Sequence, residues 1–371
     1  MIPSKQLIDN TPALAGTIFR EGFYLTYPHN NGFCKDGRSL VLGRLDGVNT
    51  SLWKTSLDSE DQTRICDFDA SCEMESRLWF DVARKANRLV MVRDNGIWIY
   101  DLEKEGRAER IYQAESPALL VSLPNITSDG RQVIVGLHFP DRYAALRVYV
   151  ESGGNRVRFE HAWLTKHYHF SPHDEAWIGF CHEGSCDQVN DRVWAWHAVH
   201  APEGRCLMNQ NWDNSMRALY VGHERWCFHA PTALAVAYGV SPGEMRGIYE
   251  VGRDGRPARL VSQGDRCWHV NASPSGRWAV IDTSGAHDLP GKGWENAGDI
   301  SDILLLDMVT GEQRWLARSR LGKTHPSHPH PTFSPDEKFV LFNEAIGRSN
   351  RVRLVENPWL ANDPSLSKHS L

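Results

Sequence analysis

The feature that most constrains the fold is a short pattern that recurs seven times along the 371-residue chain. Each copy has a polar or aromatic start, a turn with Pro, Asp or Gly, a basic or aromatic residue, and a short β-branched run. The copies span residues 30–43, 79–92, 123–136, 167–180, 223–239, 269–283 and 328–342. A recurring pattern of this kind indicates a repeat architecture, which takes precedence over a domain count based on length.

A second strand-like segment follows each copy after a short gap. These segments span residues 50–57, 96–102, 145–151, 192–199, 247–252, 302–308 and 351–356. DG, SG and NG dipeptides between such runs favour tight hairpin turns. Two hairpins in about 45–50 residues is the spacing of a four-stranded propeller blade. The sequence therefore predicts an all-β fold, a seven-bladed β-propeller with four-stranded antiparallel blades.

We expect residues 1–371 to form one propeller domain, with segment 1–20 contributing to ring closure and a flexible tail at 358–371. The net charge of −5 argues against a general nucleic-acid partner. Segment 1–20 lacks the features of a secretory signal, and no stretch approaches the roughly 18 apolar residues of a membrane span. The sequence thus predicts a cytoplasmic protein that binds neither nucleic acid nor membranes and is a monomer by default.

The eight cysteines show no CxxC pair and no spacing typical of a small disulfide-linked domain. We therefore interpret them as free thiols. Cys227 and Cys267 lie close in sequence to candidate site histidines, so ligation of a metal by one of them is an alternative interpretation.

Histidines mark the start of the last four copies of the repeat. They are His167, His169, His223, His269, His325, His328 and His330. In a propeller, the loops that enter the innermost strands converge on the central channel at one face. Residues far apart in sequence are therefore expected to meet at one axial site.

The segment HPSHPHP at 325–331 is the strongest local signal in the chain. Alternating Pro residues hold the backbone extended, and residues two apart in an extended chain point the same way. His328 and His330 are then able to face one ion. Clustered imidazoles suit divalent transition metals, whereas a structural zinc site of the cysteine type needs thiolates. The alternative is that this segment is only a turn-forming loop.

Over most of its length the chain resembles the oligogalacturonate lyase family, which comprises metal-dependent seven-bladed propellers that cleave short pectin oligosaccharides by β-elimination. The stretches that carry the resemblance lie at 27–43, 178–194, 222–226, 267–285 and 324–342. The most specific motifs are FCHEG followed by DRVW, and THPSHPHP.

The resemblance implies a ligand set and two catalytic residues. The metal ligands fall on His269, His328 and His330, and His325 replaces the Gln that the family has as fourth ligand. The family's base falls on His223 and its substrate-binding arginine on Arg192. We expect a divalent metal, with Mn²⁺ preferred over Zn²⁺, Fe²⁺, Ni²⁺ or Co²⁺, and a small acidic oligosaccharide as the substrate.

The chemistry requires removal of the C5 proton of a uronate, which is hardly acidic beside a negative carboxylate. A divalent cation and a bidentate contact from Arg192 would offset that negative charge. A neutral His223 would then act as general base. We expect His182, His167 and His169 to bind substrate. The simpler interpretations are an ion pair of Arg192 with Asp191 or Glu183, and a buried His223 that caps a strand.

Three other functions are compatible with these residues. The first is a lyase of the same architecture on another uronate glycan, such as ulvan, rhamnogalacturonan or glucuronan, which the His325 replacement favours. The second is a non-catalytic scaffold, although a scaffold has no need of clustered histidines. The third is a metal-dependent hydrolase or lactonase that would use acidic ligands such as Asp265, Asp282 or Glu224.

Overall fold

The computed structural model describes residues 17–47, 49–68, 78–104, 107–121, 123–211, 219–288 and 298–360. These residues form seven antiparallel sheets arranged as the blades of a propeller, so the predicted fold class is confirmed. None of the elements in this part of the chain is a helix with the length and hydropathy needed to cross a membrane.

Blades 1 to 4 follow one another along the chain, and each begins with its innermost strand. Blade 1 consists of β2 (Phe23–Tyr24), β3 (Ser39–Asp46), β4 (Asn49–Ser56) and β5 (Gln62–Phe68). Blade 2 consists of β6 (Phe80–Val82), β7 (Arg88–Arg93), β8 (Gly96–Asp101) and β9 (Ala108–Gln113). Blade 3 consists of β10 (Leu119–Leu120), β11 (Asn125–Ile126), β12 (Gln132–His138), β13 (Tyr143–Tyr149) and β14 (Asn155–His161). Blade 4 consists of β15 (Thr165–Phe170), β16 (Ile178–His182), β17 (Val193–His197) and β18 (Ala201–Cys206). In blade 3, β10 and β11 both pair with β12 and share the innermost position.

Blades 5 to 7 complete the ring. Blade 5 consists of β19 (Val221–Trp226), β20 (Thr232–Ala237), β21 (Gly247–Gly252) and β22 (Arg259–Gln263). Blade 6 consists of β23 (Cys267–Ala272), β24 (Trp278–Thr283), β25 (Ile300–Asp307) and β26 (Gln313–Arg320). Blade 7 consists of β27 (Thr332–Phe333), β28 (Phe339–Ile346), β29 (Ser349–Glu356) and β1 (Thr17–Glu21).

The first and last strands of the described residues meet in blade 7, where β1 pairs antiparallel with β29 from Thr17 opposite Leu354 to Glu21 opposite Arg351. Residues 1–16 of the segment expected to help close the ring lie outside the described residues. Most of the tail expected to be flexible, residues 361–371, also lies outside them. Trp359 is buried and its ring lies 4.3 Å from that of Trp278 in blade 6.

The core lies between neighbouring blades. The second strands are apolar on both faces because each is covered by a blade on either side, and all six residues of β20 and of β24 are buried. Leu234 of β20, for example, packs in one cluster with Ala279 and Ile281 of β24. The outermost strands are less buried, and β9 and β14 carry mostly exposed residues. This stacking fixes the seven innermost strands around a central channel.

The turns of the repeat lie between the first and second strands of each blade, and in blades 2 to 7 each copy overlaps the innermost strand. In blade 1, the Asp36 carboxylate accepts hydrogen bonds from the backbone N–H groups of Arg38 and Ser39 at 2.9 Å and 2.7 Å. Gly37, with φ of 66°, occupies the left-handed position of the turn. His167, His169, His223 and His269 therefore lie on innermost strands, not in the loops before them as the sequence suggested.

Candidate metal centre

Bulges in three innermost strands determine which side chains face the channel. The pairing register shifts between Lys166 and His169 in β15, between Gly222 and Arg225 in β19, and between Cys267 and His269 in β23. His167 and His223 occupy these bulges with positive φ values of 58° and 49°. A bulge changes the direction of the side chains around it and is frequent beside functional sites.

The four histidines predicted to bind metal lie together. His269, His328 and His330 each offer a ligand atom, and these atoms all lie within 4.8 Å of one another. The ring of His325 lies 4.3 Å from that of His328 and 5.0 Å from that of His330. His269 and His330 are buried, whereas His325 and His328 are partly exposed. One part of the cluster, formed by His269 and His330, is thus buried, and the other part, formed by His325 and His328, is accessible.

Blade 7 holds the loop that carries three of these histidines. The side-chain amide of Asn343 donates hydrogen bonds to the carbonyls of Pro326 and His328 at 3.2 Å and 3.1 Å. The backbone N–H of Asn343 donates to the carbonyl of Pro329 at 2.7 Å. His330 has a φ of 45°, a backbone conformation that the surrounding contacts must hold in place.

Asp282 of β24 connects the loop to blade 6. Its carboxylate oxygens lie 2.8 Å and 2.9 Å from Nδ1 of His269, and one of them accepts the backbone N–H of His330 at 3.1 Å. Burial raises the pKa of Asp282 to about 7, against the effect of these N–H groups. Because Nδ1 of His269 is held by the carboxylate, Nε2 is the nitrogen left to bind a ligand.

Burial keeps these imidazoles neutral. It lowers the pKa of His269 and of His330 well below the usual range, and neighbouring histidines lower both further. Burial also lowers the pKa of His325, to about 2. Both ring nitrogens of His330 lack a hydrogen-bond partner although the residue is 1% exposed. Converging neutral nitrogen donors without protein partners fit a divalent transition cation.

His223 lies beside the cluster, with its ring 4.1 Å from that of His269. Its Nδ1 lies 2.6 Å from the carbonyl oxygen of Trp268. A carbonyl only accepts, so Nδ1 carries the proton and Nε2 carries the lone pair. Burial, together with His269, lowers the pKa of His223 well below its usual range. The hydroxyl of Tyr238 lies 3.1 Å from the same Nδ1. His223 is therefore oriented as a neutral base.

Arg192 lies at the edge of blade 4 against β19. Its guanidinium donates to a carboxylate oxygen of Glu183 at 2.5 Å and to the carbonyl of Gly184 at 2.8 Å. The ion pair with Glu183, the simpler interpretation of Arg192 from the sequence, is therefore present. A Cβ at Gly222, next to His223, would come within 3.2 Å of Arg192 Nε and would clash with the hydroxyl of Tyr238. Arg192 is thus packed close to the proposed base.

The three histidines expected to bind substrate fall in two places. Nδ1 of His182 lies 2.7 Å from Asp191, and its ring lies 4.2 Å from that of Trp163. His169 is 1% exposed, and its Nδ1 contacts the carbonyl of His167 at 2.6 Å. His167 and His169 lie together in β15, whereas His182, at the end of β16, contacts Trp163 and Asp191.

Four residues near the cluster have roles that the sequence alone did not predict. Asp282 was considered only as an acidic ligand, although an acid within a continuous apolar strand is a signal that it has a buried partner. Nothing in the sequence around Tyr238 or Tyr27 indicated that these residues lie beside the histidines. The ring of Tyr27 lies 5.0 Å from that of His330. His29 directly precedes the first repeat copy, as the other histidines begin theirs, and that position could have identified it.

Neither Cys227 nor Cys267 is among the donors grouped around His269, His328 and His330. The seven cysteines that the structure describes are free thiols, as predicted, and Cys72 lies outside the described residues. Cys227 and Cys267 are both buried in the apolar cluster between blades 5 and 6. Burial raises the pKa of each of these two thiols to about 12, which disfavours the thiolate that a metal would need.

Fold and site together define the class of the protein. It is a β-propeller in which several neutral imidazoles lie together at the central channel. Residues 139–359 match the family model of oligogalacturonate lyase, and the chain belongs to this family. The matched region includes all nine residues that were predicted as catalytic, substrate-binding or metal-binding.

Curated relatives and solved structures agree with this assignment. The chain is 24% identical over 226 residues to an oligogalacturonate lyase of Dickeya dadantii (strain 3937), with 57% of this chain and 55% of the relative covered. It is 25% identical over 214 residues to an oligogalacturonide lyase of Pectobacterium atrosepticum, with 54% and 51% covered. The chain thus spans about half the length of these curated relatives.

Two solved structures share the fold over nearly the whole chain. An oligogalacturonate lyase in complex with manganese has a TM-score of 0.75 at 20% identity, with 94% of this chain and 92% of that chain covered. An oligogalacturonate lyase from Vibrio parahaemolyticus has a TM-score of 0.76 at 17% identity, with 92% of each chain covered.

Proposed function

We propose that this protein is a metal-dependent lyase that cleaves short oligogalacturonates by β-elimination. The observation that carries the proposal is the position of His223, a neutral imidazole with a free Nε2, beside a cluster of neutral histidines. The names of the relatives support the substrate, and the manganese complex of one similar structure supports Mn²⁺ as the metal.

His269, His325, His328 and His330 would hold the metal. A divalent cation bound there would offset the negative charge of the uronate carboxylate next to the C5 proton. Asp282 fixes the ring of His269 and the backbone of His330, so the donors are positioned before the ion arrives. The acidic residue thus serves as a positioning group, unlike the acidic ligands that a hydrolase site of this kind would use.

His223 removes the C5 proton through Nε2. The Trp268 carbonyl holds the proton on Nδ1 and fixes the plane of the ring. Because burial lowers the pKa of His223, the base is already neutral and has no proton to lose before it reacts. The hydroxyl of Tyr238 beside Nδ1 limits rotation of the ring.

Arg192 places a guanidinium next to the base, where it pairs with the uronate carboxylate or with the carboxylate of the next sugar. Glu183 holds the guanidinium in place and leaves its Nε–H without a hydrogen-bond partner. We assign a further substrate contact to His182 beside Trp163. We assign none to His169, because it is buried.

The substrate class is the part of the proposal that needs the sharpest test. The purified protein would be incubated with digalacturonate and trigalacturonate, and with oligomers of ulvan, rhamnogalacturonan and glucuronan. Masses of the products would then be measured. Elimination gives products whose masses sum to that of the substrate, whereas hydrolysis adds one water. We expect elimination products from the galacturonates.

Hydrolysed products from the galacturonates would overturn the proposal in favour of a hydrolase. Elimination products only from another glycan would overturn the substrate assignment and retain the reaction. Elimination products from another glycan would be expected if His325, which stands at the family's Gln position, changes the substrate preference. The cytoplasmic location and the monomeric state stay predictions.

A further inference from the structure

A second group of donors lies on the channel axis and takes no part in the proposed reaction. It comprises His29, from the segment between β2 and β3, His167 of β15 and Glu224 of β19, whose ligand atoms all lie within 4.8 Å of one another. Nε2 of His29 lies 3.6 Å from one Glu224 carboxylate oxygen, and Nδ1 of His167 lies 3.9 Å from the same oxygen. Three separate blades meet at this point.

These donors are buried and have no hydrogen-bond partners. Glu224 is 1% exposed and His29 is 4% exposed. No hydrogen bond is made by either carboxylate oxygen of Glu224, by either ring nitrogen of His29, or by Nδ1 of His167. Burial of a polar group without a compensating hydrogen bond is costly, and the cost is larger still for an ionised carboxylate. Native proteins rarely leave such groups unpaired.

The guanidinium groups of the two neighbouring arginines make their hydrogen bonds to other groups, not to this carboxylate. The guanidinium of Arg225 donates hydrogen bonds to the carbonyl of His29 and to the side chain of Asn271. Arg192 donates to Glu183 and Gly184. The nitrogen-to-oxygen separations within the group are too long for hydrogen bonds. They are close to the roughly 3.4 Å between two ligands of one tetrahedral cation with bonds of about 2.1 Å.

His169 lies beside this group. Its Nδ1 contacts the carbonyl of His167 at 2.6 Å, so Nε2 is the free nitrogen, and that atom is buried without a partner. Its ring lies 4.7 Å from that of His29. The ring is thus oriented by a hydrogen bond at its other nitrogen, as that of His269 is by Asp282.

Tyr27 separates this group from the first cluster. Its ring stacks on that of His29 at 5.1 Å and contacts that of His330 at 5.0 Å. The two groups therefore share no donor, and the ring of Tyr27 contacts both of them.

We propose that His29, His167 and Glu224, with His169 as the fourth ligand, bind a second divalent transition cation on the channel axis. Two or three imidazoles with one carboxylate suit Zn²⁺ or Mn²⁺. This cation joins blades 1, 4 and 5 across the channel. The inference goes beyond the proposed lyase reaction and does not depend on it, because the ligands differ from those of the first centre.

The test counts ions on the full chain. The protein is stripped with a chelator, reloaded with Zn²⁺ or with Mn²⁺, desalted and analysed for metal per chain by mass spectrometry. We expect two ions in the natural protein, one in the variant His328→Ala with His330→Ala, and one in the variant His29→Ala with Glu224→Gln. One ion in the natural protein and none in the His328/His330 variant would overturn the proposal.

A thermal measurement covers the case in which the His29/Glu224 variant fails to fold. Zn²⁺ added to the stripped His328/His330 variant should raise its melting temperature, and Glu224→Gln added to that variant should remove the rise. If Zn²⁺ does not raise the melting temperature of the stripped His328/His330 variant, in which Glu224 is still present, the second centre is contradicted. Because no measurement here uses turnover, loss of the lyase proposal would leave this test intact.

Discussion

The carboxylate of Asp282 lies 2.8 Å from Nδ1 of His269 and leaves the opposite nitrogen of that ring to face His328 and His330. The same carboxylate accepts the backbone N–H of His330, so one buried acid orients ligands from blade 6 and from the loop before β27. The donors of the first centre are therefore arranged by a residue that is not itself a ligand.

Replacement of this acid should weaken metal binding without removal of a ligand. Asp282→Asn places an amide beside Nδ1 of His269 and lowers the basicity of the ring. We expect the affinity for Mn²⁺ to fall by about 10- to 100-fold, because mutation of a hydrogen-bond partner of a metal ligand typically lowers metal affinity by this factor. Titration against a chelator measures this affinity.

Asp302→Asn is the matched control, because Asp302 is also a buried acid of blade 6 and pairs with Arg318 and His287. It should destabilise the fold but leave the affinity for Mn²⁺ within a few-fold of the natural value. Equal affinities for the natural protein and the Asp282→Asn variant would show that Asp282 does not position the ligands.

Loss of the base should separate catalysis from metal binding. His223→Ala removes the only nitrogen assigned to the C5 proton, so we expect kcat to fall by about 10²- to 10⁴-fold. Metal content should stay unchanged, because Nε2 of His269 and the loop histidines are retained. Tyr238→Phe keeps the aromatic ring beside His223, so kcat should fall by about tenfold or less. Turnover close to natural in His223→Ala would remove this residue as the base.

Loss of two loop ligands should remove the first ion and turnover together. His328→Ala with His330→Ala leaves His269 and His325 as the remaining donors of the first centre, too few to hold a cation tightly. Metal content and initial rate would be measured on the same preparation. Activity that persists while the first centre is empty would contradict the mechanism.

Much of the fold and of the ligand set could be predicted from the sequence because both depend on periodic features. Seven turn-and-strand copies predict seven blades, and histidines at equivalent positions predict a meeting point on the axis. The bulges at His167 and His223 could not be predicted, since a positive φ at a histidine has no marker in the neighbouring residues. They turn Glu224 towards His29, and this is why the second donor group became apparent only in the structure.

Stability should depend on pH through an ion pair far from both centres. Asp307 pairs with both terminal nitrogens of Arg277 at 2.5 Å and 2.7 Å. Burial alone would raise the pKa of Asp307, but Arg277 and the backbone N–H groups of Thr310 and Val309 lower it to about 2. A carboxyl whose pKa is lower in the folded state stabilises the fold above its unfolded pKa of about 3.9. That stabilisation is lost as the pH falls from about 4 through 2.

Asp307→Asn should therefore lower the free energy of unfolding by about 1–2 kcal/mol at pH 7. The difference from the natural protein should shrink steadily between about pH 4 and pH 2, where the natural carboxyl becomes protonated. Urea unfolding at several pH values measures it. A difference that is the same at pH 7 and pH 2.5 would mean that the charge of Asp307 contributes nothing.

The most direct measurement of the central claim is the ultraviolet absorbance of the conjugated double bond that elimination leaves in the uronate product. Trigalacturonate would be mixed with the purified protein, with the protein stripped by EDTA, and with stripped protein given Mn²⁺. We predict a rise in absorbance with the untreated protein, none after EDTA, and recovery with Mn²⁺. An equal rise before and after complete removal of metal would contradict a metal-dependent lyase built on His269, His328 and His330.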